Sequence, residues 1–193
     1  MDPLTKFAEL LQQAEKTNGI AEPTGMTLST VGADGRPSAR VVLLKHADAD
    51  GLVFYTNFNS QKGREILARP EVTLTFWWQP LEVQVRFDGR AAPVSAAEAD
   101  AYFASRPRLS QLGAWASHQS QPLKSRQELE QRFAAVEKQY AGKSVPRPPH
   151  WSGFRVAPVA VEFWKAGEGR LHHRELYTRK NPTAPWTMTL LYP

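Results

Sequence analysis

The chain has 193 residues, 41% hydrophobic and 22% charged, the make-up of a soluble globular protein with enough length for one sizeable core. It has no cysteine, which excludes disulfides, thiolate metal sites and a cysteine nucleophile, and no apolar run approaches the roughly 20 residues that span a bilayer. A net charge of +5 and a pI near 9.6 favour anionic partners, yet the cations stand singly among apolar residues, which suits a pocket for small phosphorylated molecules better than a nucleic-acid stripe.

In chain order, the start Met1-Asp2-Pro3-Leu4-Thr5-Lys6 lacks the basic opening and apolar stretch of a signal peptide, so a cytoplasmic location is expected. Asp2-Pro3 reads as an N-cap with a first-turn proline. Leu4, Phe7, Leu10, Leu11 and Ala14 follow at helical spacing, and Asn18-Gly19 closes a helix over about 3–18. The next segment is mainly β, with strands expected at 25–31, 37–46, 51–57, 71–78 and 81–91, turns at Asp34-Gly35 and Asp50-Gly51, and a short helix from Ser60 to Ala68. Ser95-Ala96-Ala97-Glu98 is a capping box opening a helix that Pro107 stops, and Ser125-Arg126-Gln127-Glu128 opens another ending near Gly142, so 95–142 is a helical insert. Ser144 to Pro149 is extended loop. Strands at 158–165 and 170–178 are joined at Gly167-Glu168-Gly169, and a last strand runs from Trp186 to Leu191. This pattern predicts one α+β domain over 1–193, an antiparallel barrel or sandwich with peripheral helices. With no G-x-G-x-x-G and no P-loop, side chains must hold any phosphate.

Arg170-Leu171-His172-His173-Arg174, read as a strand, puts Arg170, His172 and Arg174 on one face, where they invite an anion; a solvated edge strand explains the spacing as well. His173 points the other way and reads as structural or surface. Tyr102, Arg106 and Ser110, spaced by four, offer a phenol, a guanidinium and a hydroxyl to a phosphate; an ordinary surface pair plus an N-cap serine also accounts for them. Arg40 and Lys45 bracket Val41-Val42-Leu43-Leu44 at an odd spacing, so either a bulge intervenes or they serve different ligands. Lys62 adds charge at a helix N-terminus. Gln84 faces away from the core between Val83 and Val85, and Gln119-Ser120 sits in a polar stretch. The six tryptophans read mostly as core or interface residues, and no histidine or carboxylate spacing suggests a metal site.

Arg40-Val-Val-Leu-Leu-Lys45, Phe54-Tyr-Thr-Asn57, Leu81-Glu-Val-Gln84, Tyr102-Phe-Ala-Ser-Arg-Pro-Arg108 with Ser110-Gln-Leu-Gly-Ala-Trp115, Ser117-His-Gln-Ser120, Trp151-Ser-Gly-Phe-Arg155, Glu162-Phe-Trp164 and Arg170-Leu-His172 run in order over nearly the whole chain. Together they closely resemble the pyridoxine (pyridoxamine) 5′-phosphate oxidase family. The resemblance implies an FMN-binding split β-barrel that works as a homodimer with flavin at the subunit interface. It implies oxidation of pyridoxine 5′-phosphate or pyridoxamine 5′-phosphate by O2 to pyridoxal 5′-phosphate and H2O2, with neither nucleic acid nor membrane as partner. By resemblance, FMN is held by Arg40, Val41, Val42, Leu43, Leu44 and Lys45, by Tyr55 and Thr56, by Gln61 and Lys62, and by Gln84, Gln119, Ser120, Trp164 and Arg174. The substrate phosphate falls to Lys45, Tyr102, Arg106 and Ser110, which lets Arg40 and Lys45 serve different ligands. Arg170 and His172 close over the pyridine ring and orient its C4′ group.

The family often has Arg where this chain has Gln61, so one charge-assisted contact to the FMN phosphate is expected to be missing, a loss of about 1–3 kcal/mol unless Arg64 compensates. The family's Arg-Leu-x-Pro ending is here Leu190-Leu191-Tyr192-Pro193, His173 stands where Asp is common, and an N-terminal arm that covers the substrate in longer members is not expected. Other readings are a flavin oxidase of another ring substrate, such as a phenazine-pathway enzyme, and a non-catalytic FMN or pyridoxal-phosphate binding module.

Overall fold

A computed structural model describes residues 2–193. The first helix, α1 (Pro3–Lys16), starts where Asp2 accepts the Leu4 and Thr5 N–H groups, and it buries Leu4, Phe7 and Ala14. It packs on a curled antiparallel sheet of β1 (Gly25–Val31), β2 (Pro37–Leu43), β3 (His46–Asp48), β4 (Gly51–Asn57), β5 (Glu71–Trp78), β6 (Val83–Pro93), β7 (Trp151–Lys165), β8 (His173–Thr178) and β9 (Thr187–Leu190). The order is β2-β1-β5-β6-β7-β4-β3, with β8 on β7 and β9 on β8. Helices α2 (Gln61–Ala68), α3 (Ala96–Ser105), α4 (Arg108–Ala116) and α5 (Arg126–Gln139) complete a split-barrel α+β fold.

Strand β7 organises the sheet. It pairs with β6 along one edge, with β4 over Trp151–Val156 and with β8 over Ala160–Lys165 along the other. Its register against β6 shifts at Asp88/Gly89, where Pro158 is accommodated, as prolines within sheets are at bulges. A side chain at Gly89 would meet the Ala157 carbonyl at 2.5 Å, so close approach requires glycine there. Period-two burial points Leu28, Leu74, Phe76, Val85, Phe87 and Val161 inward, and Phe7 of α1 plugs this core between Phe76 (4.9 Å) and Phe87 (4.8 Å). A second cluster under the helices joins Phe103, Leu112, Val145 and Trp151.

Four expectations are corrected. The strand expected at 37–46 ends at Leu43: Leu44 N–H bonds Thr24 O (2.9 Å), Lys45 N–H bonds Val53 O (2.8 Å), and His46–Asp48 continues as β3 on β4. Pro107 stops α3 but also caps α4, whose apolar positions Leu112 and Ala116 are buried. Strand β7 begins at Trp151 rather than 158. Strand β8 begins at His173, after a 3-10 turn over Glu168–Arg170, so alternation along one strand does not unite Arg170, His172 and Arg174.

Candidate functional site

Where β2 ends beside β4 and the helical insert, a cavity of about 330 Å³ opens, a size suited to small molecules. It is lined by Arg40, Val41, Val42, Leu43, Lys45, Tyr55, Thr56, Asn57, Lys62, Tyr102, Arg106, Gln119 and Trp151, four cations and no carboxylate. The break after Leu43 explains how Arg40 and Lys45 reach one cavity despite their odd spacing, while Leu44 turns into the core.

The cations divide into two groups. At one end stand Arg40 and Lys62. The Arg40 guanidinium is anchored by the Leu28 and Ser38 carbonyls, Thr30 Oγ1 and Glu65 Oε2 (3.3 Å). Burial opposes the Glu65 carboxylate, but hydrogen bonds from Thr30 and Gln61 and the Arg40 charge outweigh it and hold its pKa below the ordinary range. Lys62 Nζ donates to Gln119 Oε1 (3.0 Å), which also accepts from Thr56 Oγ1 (3.4 Å). Burial, with the Arg40 charge, lowers the Lys62 pKa against a smaller pull from Glu65. Gln61 turns outward to Ser38 Oγ and Glu65 Oε1, and Arg64 bonds the Asn59 carbonyl.

At the other end Tyr102, Tyr55 and Trp151 stack: Tyr55–Tyr102 centroids lie 3.9 Å apart at 15°, and Tyr55–Trp151 5.4 Å apart at 7°. Arg106 is the extended C-cap of α3, not a member of its face, and its guanidinium lies 4.6 Å from the Trp151 ring centroid. Its Nη1 is buried without a hydrogen-bond partner. Burial pushes the guanidinium pKa down and the nearby Tyr102 phenol only partly offsets this, while burial raises the Tyr102 pKa and keeps the phenol a donor at neutral pH. A half-buried guanidinium with a buried, unpartnered N–H is costly and calls for an anion. Ser110 lies on α4 outside this lining, and Ser120, left-handed at φ 66°, follows Gln119 outside it.

Gln84, Trp164 and Arg174 are not brought to the cavity. They form a row across β6, β7 and β8 (Gln84↔Trp164, Trp164↔Arg174), extended on β5 by the exposed Trp77, whose ring lies 6.0 Å from that of Trp164. Arg174 is held by the buried Glu162 (2.7 Å), which also binds Arg86 (2.9 Å), and its Nη1 donates to Tyr192 O (2.9 Å). His172 packs 4.5 Å from Trp164, and its Nδ1 accepts the Gly167 N–H (3.3 Å), which leaves the proton of the neutral ring on Nε2. Arg170 sits exposed on its turn at φ 63°. His173 lies on the far side, paired with Glu175 (2.9 Å).

Sequence reasoning missed Trp151 and Asn57 as cavity residues, Trp77 beside Trp164, and the carboxylates Glu65 and Glu162 that aim Arg40 and Arg174. Only Trp77 carried a signal, standing at the alternate, polar-facing position of its strand after Glu71, Thr73 and Thr75.

Against known proteins, residues 12–165 match the family described as pyridoxamine 5′-phosphate oxidase, and residues 151–193 match the pyridoxine 5′-phosphate oxidase C-terminal dimerisation region. The chain belongs to the pyridoxamine 5′-phosphate oxidase family. A curated member from Myxococcus xanthus, named pyridoxine/pyridoxamine 5′-phosphate oxidase, is 58% identical over 192 residues, covering 100% of this chain and 92% of its own. The crystal structure of PhzG from Burkholderia lata 383, in complex with tetrahydrophenazine-1-carboxylic acid, superposes with a TM-score of 0.92 at 32% identity, covering 100% of this chain and 93% of that one. A Nostoc punctiforme structure, a pyridoxamine 5′-phosphate oxidase-related, FMN binding protein, shares the fold at a TM-score of 0.78 and 19% identity, covering 100% and 99%.

Proposed function

We propose that this chain oxidises pyridoxine 5′-phosphate or pyridoxamine 5′-phosphate to pyridoxal 5′-phosphate, as a homodimer whose two subunits together frame the site. The protein is an oxidoreductase of its family and FMN is its cofactor. Bound FMN supplies the two-electron acceptor for oxidation at C4′, and O2 takes the electrons on as H2O2.

The observation that carries the reading is the partnerless buried Nη1 of Arg106, in a cavity with four cations and no carboxylate. Two cationic ends fit two phosphorylated ligands. Lys62 and Arg40, with Thr56 and Gln119 beside them, suit the cofactor phosphate. Arg106, Tyr102 and Lys45 suit the substrate phosphate, with Ser110 assigned there by family resemblance. The row Gln84, Trp164 and Arg174, with His172 and Arg170, belongs to the other subunit's share of each site. His172, whose Nδ1 is taken by Gly167, and Arg170 orient the C4′ oxygen or nitrogen; the aromatic walls limit water.

The test is the visible spectrum of FMN-reconstituted protein without oxygen, before and after adding pyridoxine 5′-phosphate. Bleaching of the flavin band that air reverses is expected. A band that stays unchanged would refute the substrate and favour another ring compound, such as the phenazine carboxylate class of the PhzG structure. Failure to take up FMN would overturn the reading at its root.

A further inference from the structure

Trp151 is 6% exposed and packs in the smaller core cluster, a description that fits any buried tryptophan. Its relation to Arg106 sets it apart. Several arginines that frame the site or brace the sheet beneath it are held by carboxylates: Arg40 by Glu65, Arg86 and Arg174 by Glu162, Arg155 by Asp48 and Glu98. Among the described residues Arg106 makes no ion pair, and its buried Nη1 makes no hydrogen bond. The indole face of Trp151, 4.6 Å from the guanidinium carbon, and the Phe103 ring at 5.6 Å hold it instead.

A carboxylate would fix a guanidinium by occupying its N–H donors and cancelling its charge. An aromatic face attracts the same cation through the ring quadrupole and leaves both donors and charge free. The face must itself be fixed, and that of Trp151 is: Phe103 meets it edge-on at 5.0 Å, Tyr55 and Tyr102 lie parallel within 10° on the cavity side, and its carbonyl accepts from Arg147 (2.7 Å). We infer that Trp151 is the positioning residue for the substrate's phosphate, holding Arg106 by cation–π contact so that its N–H groups stay unspent until a phosphate arrives. The inference rests on the reading of Arg106 as the substrate-phosphate cation.

A double-mutant cycle of W151L and R106Q tests this, because a glutamine side chain carries no charge to lie over the indole. Calorimetric titration of the FMN-loaded protein with pyridoxal 5′-phosphate gives a dissociation constant that needs no turnover. Steady-state rates with pyridoxine 5′-phosphate give KM and kcat. W151L is expected to raise both KM and the dissociation constant about ten-fold, and KM by more than kcat falls, but by less than about two-fold when R106Q is already present. Additive effects, or a loss of FMN in step with the rise in KM, would overturn the inference and leave Trp151 a packing residue. Should W151L not fold, W151F reads the same cycle, a rise of about three-fold that must vanish on R106Q. Wild type that binds the phosphate in this Trp151-dependent way without turning over pyridoxine phosphate would sink the proposed reaction while sustaining the inference.

Discussion

Lys62 and Arg40 stand within each other's field on the cavity wall, and the two cations are treated differently. Arg40 is braced by Glu65, whereas Lys62 has a neutral partner in Gln119 and a lowered pKa. A bound phosphate favours the ammonium form, so FMN affinity is greatest while Lys62 is protonated and falls as pH rises through that lowered pKa, below the ordinary lysine value of 10.5. Flavin fluorescence titrations from about pH 7 to 10 should show this alkaline loss, and Lys62→Arg should abolish it, since arginine stays charged throughout. A flat profile for wild type would remove Lys62 from the phosphate. Replacing Arg170 by Ala should lower turnover by about 100-fold or more while FMN content stays near stoichiometric; equal loss of both would show that Arg170 serves binding. Residue types were the most legible layer of the site, because a guanidinium or phenol announces its chemistry. Their partners were not: nothing in the residues around Gln61 says that its amide bridges Ser38 and Glu65 rather than facing the cavity.

Helix α2 enters the site only because Gly63 lets it sit close. A Cβ there would lie 2.5 Å from Phe58 O and 2.6 Å from Asn57 O, backbone atoms that cannot step aside. Gly63→Ala should therefore destabilise by about 2 kcal/mol or more and weaken FMN binding with it, as thermal unfolding and flavin content would show; an unchanged melting temperature would mean that the loop yields freely. At the opposite face, α1 is tied to β8 by Lys6–Glu175 at 2.6 Å. Burial opposes the Glu175 carboxylate, but hydrogen bonds from Lys6, His173 and Tyr177 and the Lys6 charge bring its pKa to about 2. Because this folded value lies below the ordinary 4.5, the tie contributes fully above about pH 4.5 and is lost as pH falls toward 2. Glu175→Gln should cost about 1–2 kcal/mol at pH 7, roughly 3–6 °C in Tm, and the gap to wild type should close near pH 2. The elements themselves were largely readable from period and caps. Helix α4 was hidden because Pro107 was read only as a stop, although Leu112 and Ala116 carry the four-residue interval of a buried stripe. The first half of β7 was not read from the sequence; a proline inside a run argues against a continuous strand, and the bulge opposite Gly89 is what admits Pro158 here. The strand face proposed for Arg170, His172 and Arg174 failed for a similar reason, since the left-handed backbone of Gly169 and Arg170 ends any alternation.

Across the whole molecule, residues with one ligand in prospect sit in two places: the cavity beside β2, and the row Trp77, Gln84, Trp164 and Arg174. An antiparallel barrel or sandwich was legible in the spacing of the strands, and the split barrel only in the family resemblance; this division was not legible in the spacing, because sequence order does not record which protomer a neighbour belongs to. Mixing inactive Arg106→Ala with inactive Trp164→Ala should restore activity, since one site of each mixed dimer then draws an intact part from each subunit. No recovery after confirmed subunit exchange would show that each protomer builds its site alone. Strand β7 carries Trp151 at its first residue and Trp164 one from its last, up to roughly 40 Å apart at the rise of an extended strand. On the proposed two-subunit site, it is a spacer that keeps the two ends of one chain from serving one flavin, and it would tie inheritance of damage to geometry. In such a dimer a copy defective at either end alone would spare one site in every mixed pair, whereas a copy defective at both ends would silence both, so a double variant co-expressed with wild type should act as a poison rather than a diluent.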